Sequence, residues 1–255
     1  MIQPIDLDAY IEDLKVSALP LADTARLICH RAGSEAADIV YTLNLDHVVK
    51  MRRDLAFRAA YQRATLITPD GFPIVLACRL QGKTVSRVAG SDLIGPISEE
   101  AARCGKSIYF FGSSLPVLVE ASRVLQESTP GLRIAGFSAP PQGFDPISEE
   151  ARCSIAAIGD SRADLCFVAL GAPKQEMFAD YGRRFLPTTS FICIGAGLDF
   201  IAGTQVRAPT WMRRWGLEWL WRAAGDPRRL FYRYLLCMGA LPGILARAML
   251  VPRQY

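Results

Sequence analysis

Short apolar runs along this chain alternate with stretches in which apolar residues recur every three or four positions. Six runs, at 38–43, 64–68, 107–111, 132–137, 165–170 and 189–194, read as strands. Several are apolar on both faces, the pattern of strands that helices cover on either side of a parallel sheet. Helical spacing fills 48–63, 72–81, 91–104, 115–128, 147–160 and 174–185. The alternation predicts an α/β fold, a Rossmann-like and mostly parallel sheet flanked by helices. From about 210 to 250 helical signals continue without strands, so we divide the sequence into an α/β domain over 1–205 and a C-terminal helical appendage over 206–255.

Composition changes at that boundary. All four tryptophans, Trp211, Trp215, Trp219 and Trp221, fall within eleven positions. Residues 204–255 hold nine Arg, no Lys and two acids, Glu218 and Asp226, a net charge of +7. The whole chain carries +4, so residues 1–203 carry −3. Arg with Trp suits an anionic, partly apolar surface such as phosphate groups or a membrane interface. With equal standing, Trp211, Trp215 and Trp219 at i, i+4, i+8 describe one buried helix face. The strongly apolar stretch 235–251 has seventeen residues and contains Pro242 and Arg247. A spanning helix needs about 20 uninterrupted residues, so this stretch is expected to lie on a membrane, with a homo-oligomer interface as the second reading. The acidic start of the chain is not a signal peptide. Seven scattered cysteines without a CxxC argue for a reducing cytoplasm over a disulfide framework or zinc site. Two histidines, His30 and His47, make a His-based metal site an unpromising expectation.

In an open α/β sheet, ligands bind outside the carboxyl ends of the strands. Polar and small residues collect at those ends: Thr42-Leu43-Asn44, Pro69-Asp70-Gly71, Gly112-Ser113-Ser114, Gly171 to Glu176, and Gly195 to Asp199. Singly, each has a structural reading, a turn for Pro-Asp-Gly or a helix cap for Gly-Ser-Ser. Five on one edge describe a ligand crevice. Gly195-Ala196-Gly197 begins like a dinucleotide fingerprint but has Phe200 at the third glycine position, which excludes that mode of binding. Asp6-Leu7-Asp8 precedes every strand and reads as a terminal turn. A diphosphate leaving group would therefore rely on Arg, Lys and backbone N–H donors.

Six segments, in this order and spacing, resemble the WecG/TagA/CpsF glycosyltransferases (glycosyltransferase family 26) over about 42–234. They are Thr42-Leu-Asn44-Leu-Asp-His47, Pro69-Asp70-Gly71, Arg87-Val-Ala-Gly90-Ser-Asp92, Ala169 through Gln175-Glu176, Gly195 through Gly203, and Arg207-Ala-Pro to Gly216-Leu-Glu-Trp219 and Arg222. The resemblance implies inverting transfer of a sugar from a UDP donor to an undecaprenyl-diphosphate-linked saccharide, in cell-surface polysaccharide or exopolysaccharide biosynthesis. It implies a peripheral enzyme on the inner face of the cell membrane, held there through the appendage, with Arg222, Arg228, Arg229 and Arg233 facing headgroups.

By position, Thr42, Asn44, Asp70, Arg87 and Gln175 match residues in or beside the family's pocket. Asp70 is expected to take the acceptor proton, with Asp92 or Asp199 as substitutes. Arg87 and Arg207 are expected to hold the diphosphate through bidentate contacts. Asp70, Arg87 and Gln175 form the expected catalytic set. Thr42, Asn44, Gly71, Asp92, Gly112, Gly171, Lys174, Gly195, Asp199 and Arg207 are expected to line the substrates. Lys174 and Glu176 are expected to pair locally, Glu176 without chemistry. His47 either exchanges protons near neutral pH or orients the pocket. No metal or other cofactor is expected. No lone cation is evident for a uronic acid donor, so a hexose or N-acetylhexosamine, of the glucose or N-acetylmannosamine type, is favoured. On a helical projection Trp211, Trp215, Glu218 and Arg222 share a stripe, predicting a seam against the α/β body from which Arg207 enters the pocket. Two other classes stand beside this one. A soluble nucleotide-binding enzyme with a helical oligomerisation tail fits the same pattern. A nucleic-acid module fits less well, because the tail lacks Lys and the remainder is acidic.

Overall fold

The computed structural model describes residues 8–209, 211, 212, 218, 220, 221 and 227–250, with 227–233 described through the backbone only. All six apolar runs form strands, each within two residues of its expected bounds. They are β3 (Ile39–Leu43), β4 (Leu66–Pro69), β5 (Ser107–Gly112), β6 (Arg133–Ser138), β7 (Leu165–Ala169) and β8 (Ser190–Cys193). Two shorter strands precede them, β1 (Ala9–Ile11) and β2 (Leu14–Val16), paired as a separate antiparallel hairpin. The six form one parallel sheet in the order β4-β3-β8-β7-β5-β6. The sequence-adjacent β4 and β5 stand four places apart, and the carboxyl ends of β3 and β8, second and third in the order, lie side by side.

Strand alternation builds two cores. On one side Tyr41, Leu43, Phe111, Val168, Phe191 and Cys193 face inward. On the other, Val40, Phe110, Phe167, Ile192 and Ile194 do so. Residues i and i+1 point to opposite faces, so a run apolar at every position satisfies both layers. The second layer is made by helices α1 (Leu21–Arg31), α5 (Gly90–Cys104), α6 (Leu115–Ser128) and the short α9 (Gly197–Ile201). Opposite them lie α2 (Leu45–Met51), α3 (Leu55–Gln62), α4 (Phe72–Leu80), α7 (Glu149–Asp160) and α8 (Lys174–Arg183).

Three differences from the sequence pattern have local causes. The helix expected over 48–63 is two helices, because Asp54 accepts from the Phe57 N–H at 3.0 Å and starts α3 afresh. The β1–β2 hairpin turns at Glu12-Asp13 between three-residue strands, too short for a periodic signal, and α1 begins directly after Pro20. Residues 235–250 of the apolar segment belong to a longer helix, α10 (Pro227–Leu250), that packs on α4 and α2. Cys237, Ile244 and Ala248 enter the same core as β3 and β8, and burial of Ile244 alone contributes about 2 kcal/mol. One face of this segment is therefore core, while Leu235, Met238, Met249 and Leu250 face outward.

Candidate active site

The segment after α4 is tied along the end of β4. Thr68 Oγ1 donates to the Val88 carbonyl at 2.8 Å, and Val88 N–H donates to the Pro69 carbonyl at 2.8 Å. Asp70 N–H reaches across to the Leu43 carbonyl at 2.8 Å, and Gly71 (φ 81°) turns the chain into α4. Together these bonds set Arg87 beside Asp70. The first turn of α5 arrives at the same place because Gly90 lets it abut β8: a Cβ there would stand 2.6 Å from the Cys193 carbonyl oxygen.

Arg87 meets three carboxylates. Its Nη2 lies 2.8 Å from Asp92, and its Nη1 lies 3.3 Å from Glu218 and 3.8 Å from Asp70. The other oxygen of Asp92 pairs with Arg207 Nη2, which also reaches Ser91 Oγ at 3.1 Å. The Arg207 guanidinium lies over the Phe200 ring at 5.7 Å, and its buried Nε has no hydrogen-bond partner. Asp92 thus bridges two guanidiniums, each about a quarter exposed. In water such pairs are worth little to stability. Two planar donors left partly exposed can, however, receive phosphate oxygens.

The neighbouring ends of β3, β7 and β8 carry amides, hydroxyls and an imidazole. Asn44 caps α2 by accepting from the His47 N–H at 3.1 Å. His47 Nδ1 stands 2.8 Å from the Thr42 carbonyl and 2.7 Å from Tyr61 Oη, which itself donates to that carbonyl at 2.7 Å. With the proton on Nδ1, Nε2 is left to accept from Asn44 Nδ2 at 3.4 Å. Further along, Gln175 is 3% exposed. Its Oε1 accepts from the Gly195 N–H at 3.0 Å, and its Nε2 donates to Glu176 Oε1 at 2.8 Å. Burial pushes the Glu176 carboxyl up to about 7, against the opposing pull of Gln175 and Lys50.

Asp70, Arg87, Asp92 and Arg207 therefore come together as one cluster, Thr42 with Asn44 and Gln175 with Gly195 as its neighbours in the sheet order. Gly171 holds the entry to α8, its carbonyl accepting from Gln175 N–H at 3.1 Å. Gly112 ends β5 (φ 114°). Asp199 accepts from Ser113 Oγ at 3.3 Å instead of joining either arginine. The expected Lys174–Glu176 pair does not form: Lys174 donates to the Phe144 carbonyl at 2.7 Å, while Glu176 turns into the core. The expected seam is corrected at Trp211. Trp211 is 59% exposed and Trp221 39%, whereas Met212 and Ala208 are buried and Glu218 reaches Arg87. Trp221 Nε1 donates to the Val206 carbonyl at 3.2 Å, on the segment that delivers Arg207. Trp215, Trp219 and Arg222, and the side chains of Arg228, Arg229 and Arg233, lie outside the described residues. Glu218 was discoverable from sequence as one of only two acids in the basic tail. Nothing local marks Glu176 as buried.

The profile of the Glycosyl transferase WecG/TagA/CpsF family matches residues 9–254. This chain belongs to the WecG/TagA/CpsF glycosyltransferase family. Among similar WecG/TagA/CpsF-type proteins is the N-acetylglucosaminyldiphosphoundecaprenol N-acetyl-beta-D-mannosaminyltransferase of Bacillus spizizenii. It is 32% identical over 191 residues, covering 74% of this chain and 72% of that protein. The Bacillus subtilis protein of the same name is 28% identical over 201 residues, covering 78% and 76%. As a member of this family the protein is a glycosyltransferase. Among the described residues, no helix is long and apolar enough to cross a membrane.

Proposed function

We propose that this protein moves an N-acetylhexosamine, N-acetylmannosamine before glucose, from a UDP donor to an undecaprenyl-diphosphate-linked N-acetylglucosamine, with inversion at the anomeric carbon. The observation that carries the reading is Asp70 at 3.8 Å from Arg87, beside the Asp92-bridged Arg207. The names of the two relatives support the sugar and the acceptor. In direct displacement Asp70 takes the proton of the acceptor hydroxyl as that oxygen attacks the anomeric carbon. The bond to UDP breaks on the opposite face, and Arg87 and Arg207 receive the charge developing on the diphosphate. Guanidinium and backbone N–H donors carry that charge in this reading, without a metal. Thr42, Asn44 and the 171–175 loop would meet sugar or uridine groups by neutral hydrogen bonds.

The same reading seats the enzyme on the inner face of the membrane. Its support is the outer face of α10, where exposed Leu235, Met238, Met249 and Leu250 flank Gly239, Pro242, Gly243 and Ala246 without a charge among them. Such a face can lie at the boundary between headgroups and acyl chains. The product would enter a cell-surface polysaccharide. A panel of UDP-sugars assayed against a short-chain lipid diphosphate carrying N-acetylglucosamine tests the transfer. Turnover with UDP-N-acetylmannosamine is expected, and activity only with non-UDP donors or non-lipid acceptors would overturn it.

A further inference from the structure

On the wall away from the two arginines lies a carboxyl that the transfer step above does not use. Glu176, in the first turn of α8, has no solvent exposure. Its Oε1 accepts from Gln175 Nε2 at 2.8 Å, its backbone carbonyl accepts from Tyr41 Oη at 2.7 Å, and its Oε2 has no hydrogen-bond partner. An ionised carboxylate here would leave a charged oxygen without a donor in a dry site. A neutral acid in the same pose leaves only an O–H unpaired, a far smaller cost. Gln175, held by Glu176 on one side and by the Gly195 N–H on the other, has both ends of its amide assigned.

We infer that Glu176 is a positioning residue that works as the neutral acid, fixing the Gln175 amide between α8 and the end of β8 so that the loops after β7 and β8 form one rigid floor of the pocket. This rests on the transferase reading above. The surroundings fit an uncharged occupant. Tyr41 on β3, Tyr61 on α3 and Cys193 on β8 are all pushed well above their ordinary values, burial being the main cause. On α2, Lys50 is already committed, at 2.9 Å from Asp46 and 3.1 Å from the Ala172 carbonyl it donates to. Asp180, on α8 itself, is taken by Arg63 and Arg184. Ionised Glu176 would draw on Lys50, and with it the Ala172 carbonyl three residues before Gln175. Loss of the proton would thus be felt in the pocket as a displaced loop.

The test combines kinetics with infrared spectroscopy on the full-length enzyme. In pH-difference spectra the wild type should show a buried carboxylic C=O stretch that fades as pH rises through about 7, and E176Q should lack it. With UDP-N-acetylmannosamine and the lipid acceptor, E176Q should keep kcat within about threefold and lose the alkaline fall in kcat that the wild type shows. E176A should lose kcat about tenfold or more with KM little changed. An ionised Glu176 at mildly acid pH, or an E176Q pH profile identical to that of the wild type, overturns the inference. Should E176A fail to fold, E176Q and the spectra still decide. Should the wild type show no transfer with this substrate pair, the proposed reaction fails while the spectroscopic result stands by itself.

Discussion

Arg87 and Glu218, 131 residues apart in sequence, meet at 3.3 Å over the ends of the strands. The contact joins the α/β body to the appendage by placing a carboxylate on a guanidinium nitrogen that a diphosphate would also use. In the proposed reaction the diphosphate of the donor would compete with it. Glu218→Gln is therefore expected to tighten UDP binding about threefold by calorimetry, the size of a partly screened ion pair. Weaker binding would mean that Glu218 holds Arg87 in place instead.

Asp70 and Arg87 are partly solvated, so their removal should leave the fold intact. Asp70→Asn is expected to lower kcat by about a thousandfold and Arg87→Ala by a similar factor, with little change in Tm. Near-full activity in both variants would show that transfer occurs elsewhere.

Stability should fall as pH rises through neutrality. Glu176 is raised in the fold from 4.5 to about 7, so between those values the native state holds a proton that the unfolded chain has released. The stabilisation is complete below about 4.5 and is lost as pH climbs through about 7. The whole effect is about 3 kcal/mol. Urea midpoints at about pH 5 and about pH 8 should differ in the wild type and converge in Glu176→Gln; equal slopes in both proteins would contradict the assignment.

Gly112 allows β5 to close against β7 with φ at +114°, and a Cβ there would stand 2.4 Å from the Ala169 carbonyl oxygen. Gly112→Ala is expected to destabilise by about 2 kcal/mol or more, since strain and a backbone clash coincide. An unchanged denaturation midpoint would show that the strand ends relax freely.

For the membrane reading, sedimentation with anionic vesicles is the direct measurement. Exchanging Leu235 and Met238 for Glu removes two large apolar side chains from the outer face of α10 and should weaken binding about tenfold or more. Binding that survives, together with a changed oligomeric state, would assign this face to a second copy of the chain.

Much of the fold was legible because buried parallel strands leave an unmistakable trace: 107–111 and 165–170 are apolar at nearly every position, and both cores require it. The edge-of-sheet residues were legible for a related reason, since Asn44 and Asp70 end apolar runs where the chain must turn, and Gln175 lies in the polar stretch that follows another. The hairpin at 9–16 was not, because three-residue strands carry no periodicity. The break at Asp54 depended on one side chain choosing the Phe57 N–H, which helical spacing over 48–63 conceals.

By itself the sequence determined the layered α/β architecture, the family, the edge that carries the candidate site and the acidic and basic residues available to it. The patterns behind these are local, set by side-chain alternation and helix period. Tertiary structure alone decided the strand order β4-β3-β8-β7-β5-β6, the convergence of Asp70, Asp92 and Glu218 on Arg87, and the exposed setting of Trp211. It also decided that Glu176 is buried two residues from the exposed Lys174. Charge pairing and desolvation depend on what distant segments bring within a few ångströms, and spacing along the chain carries no record of that distance.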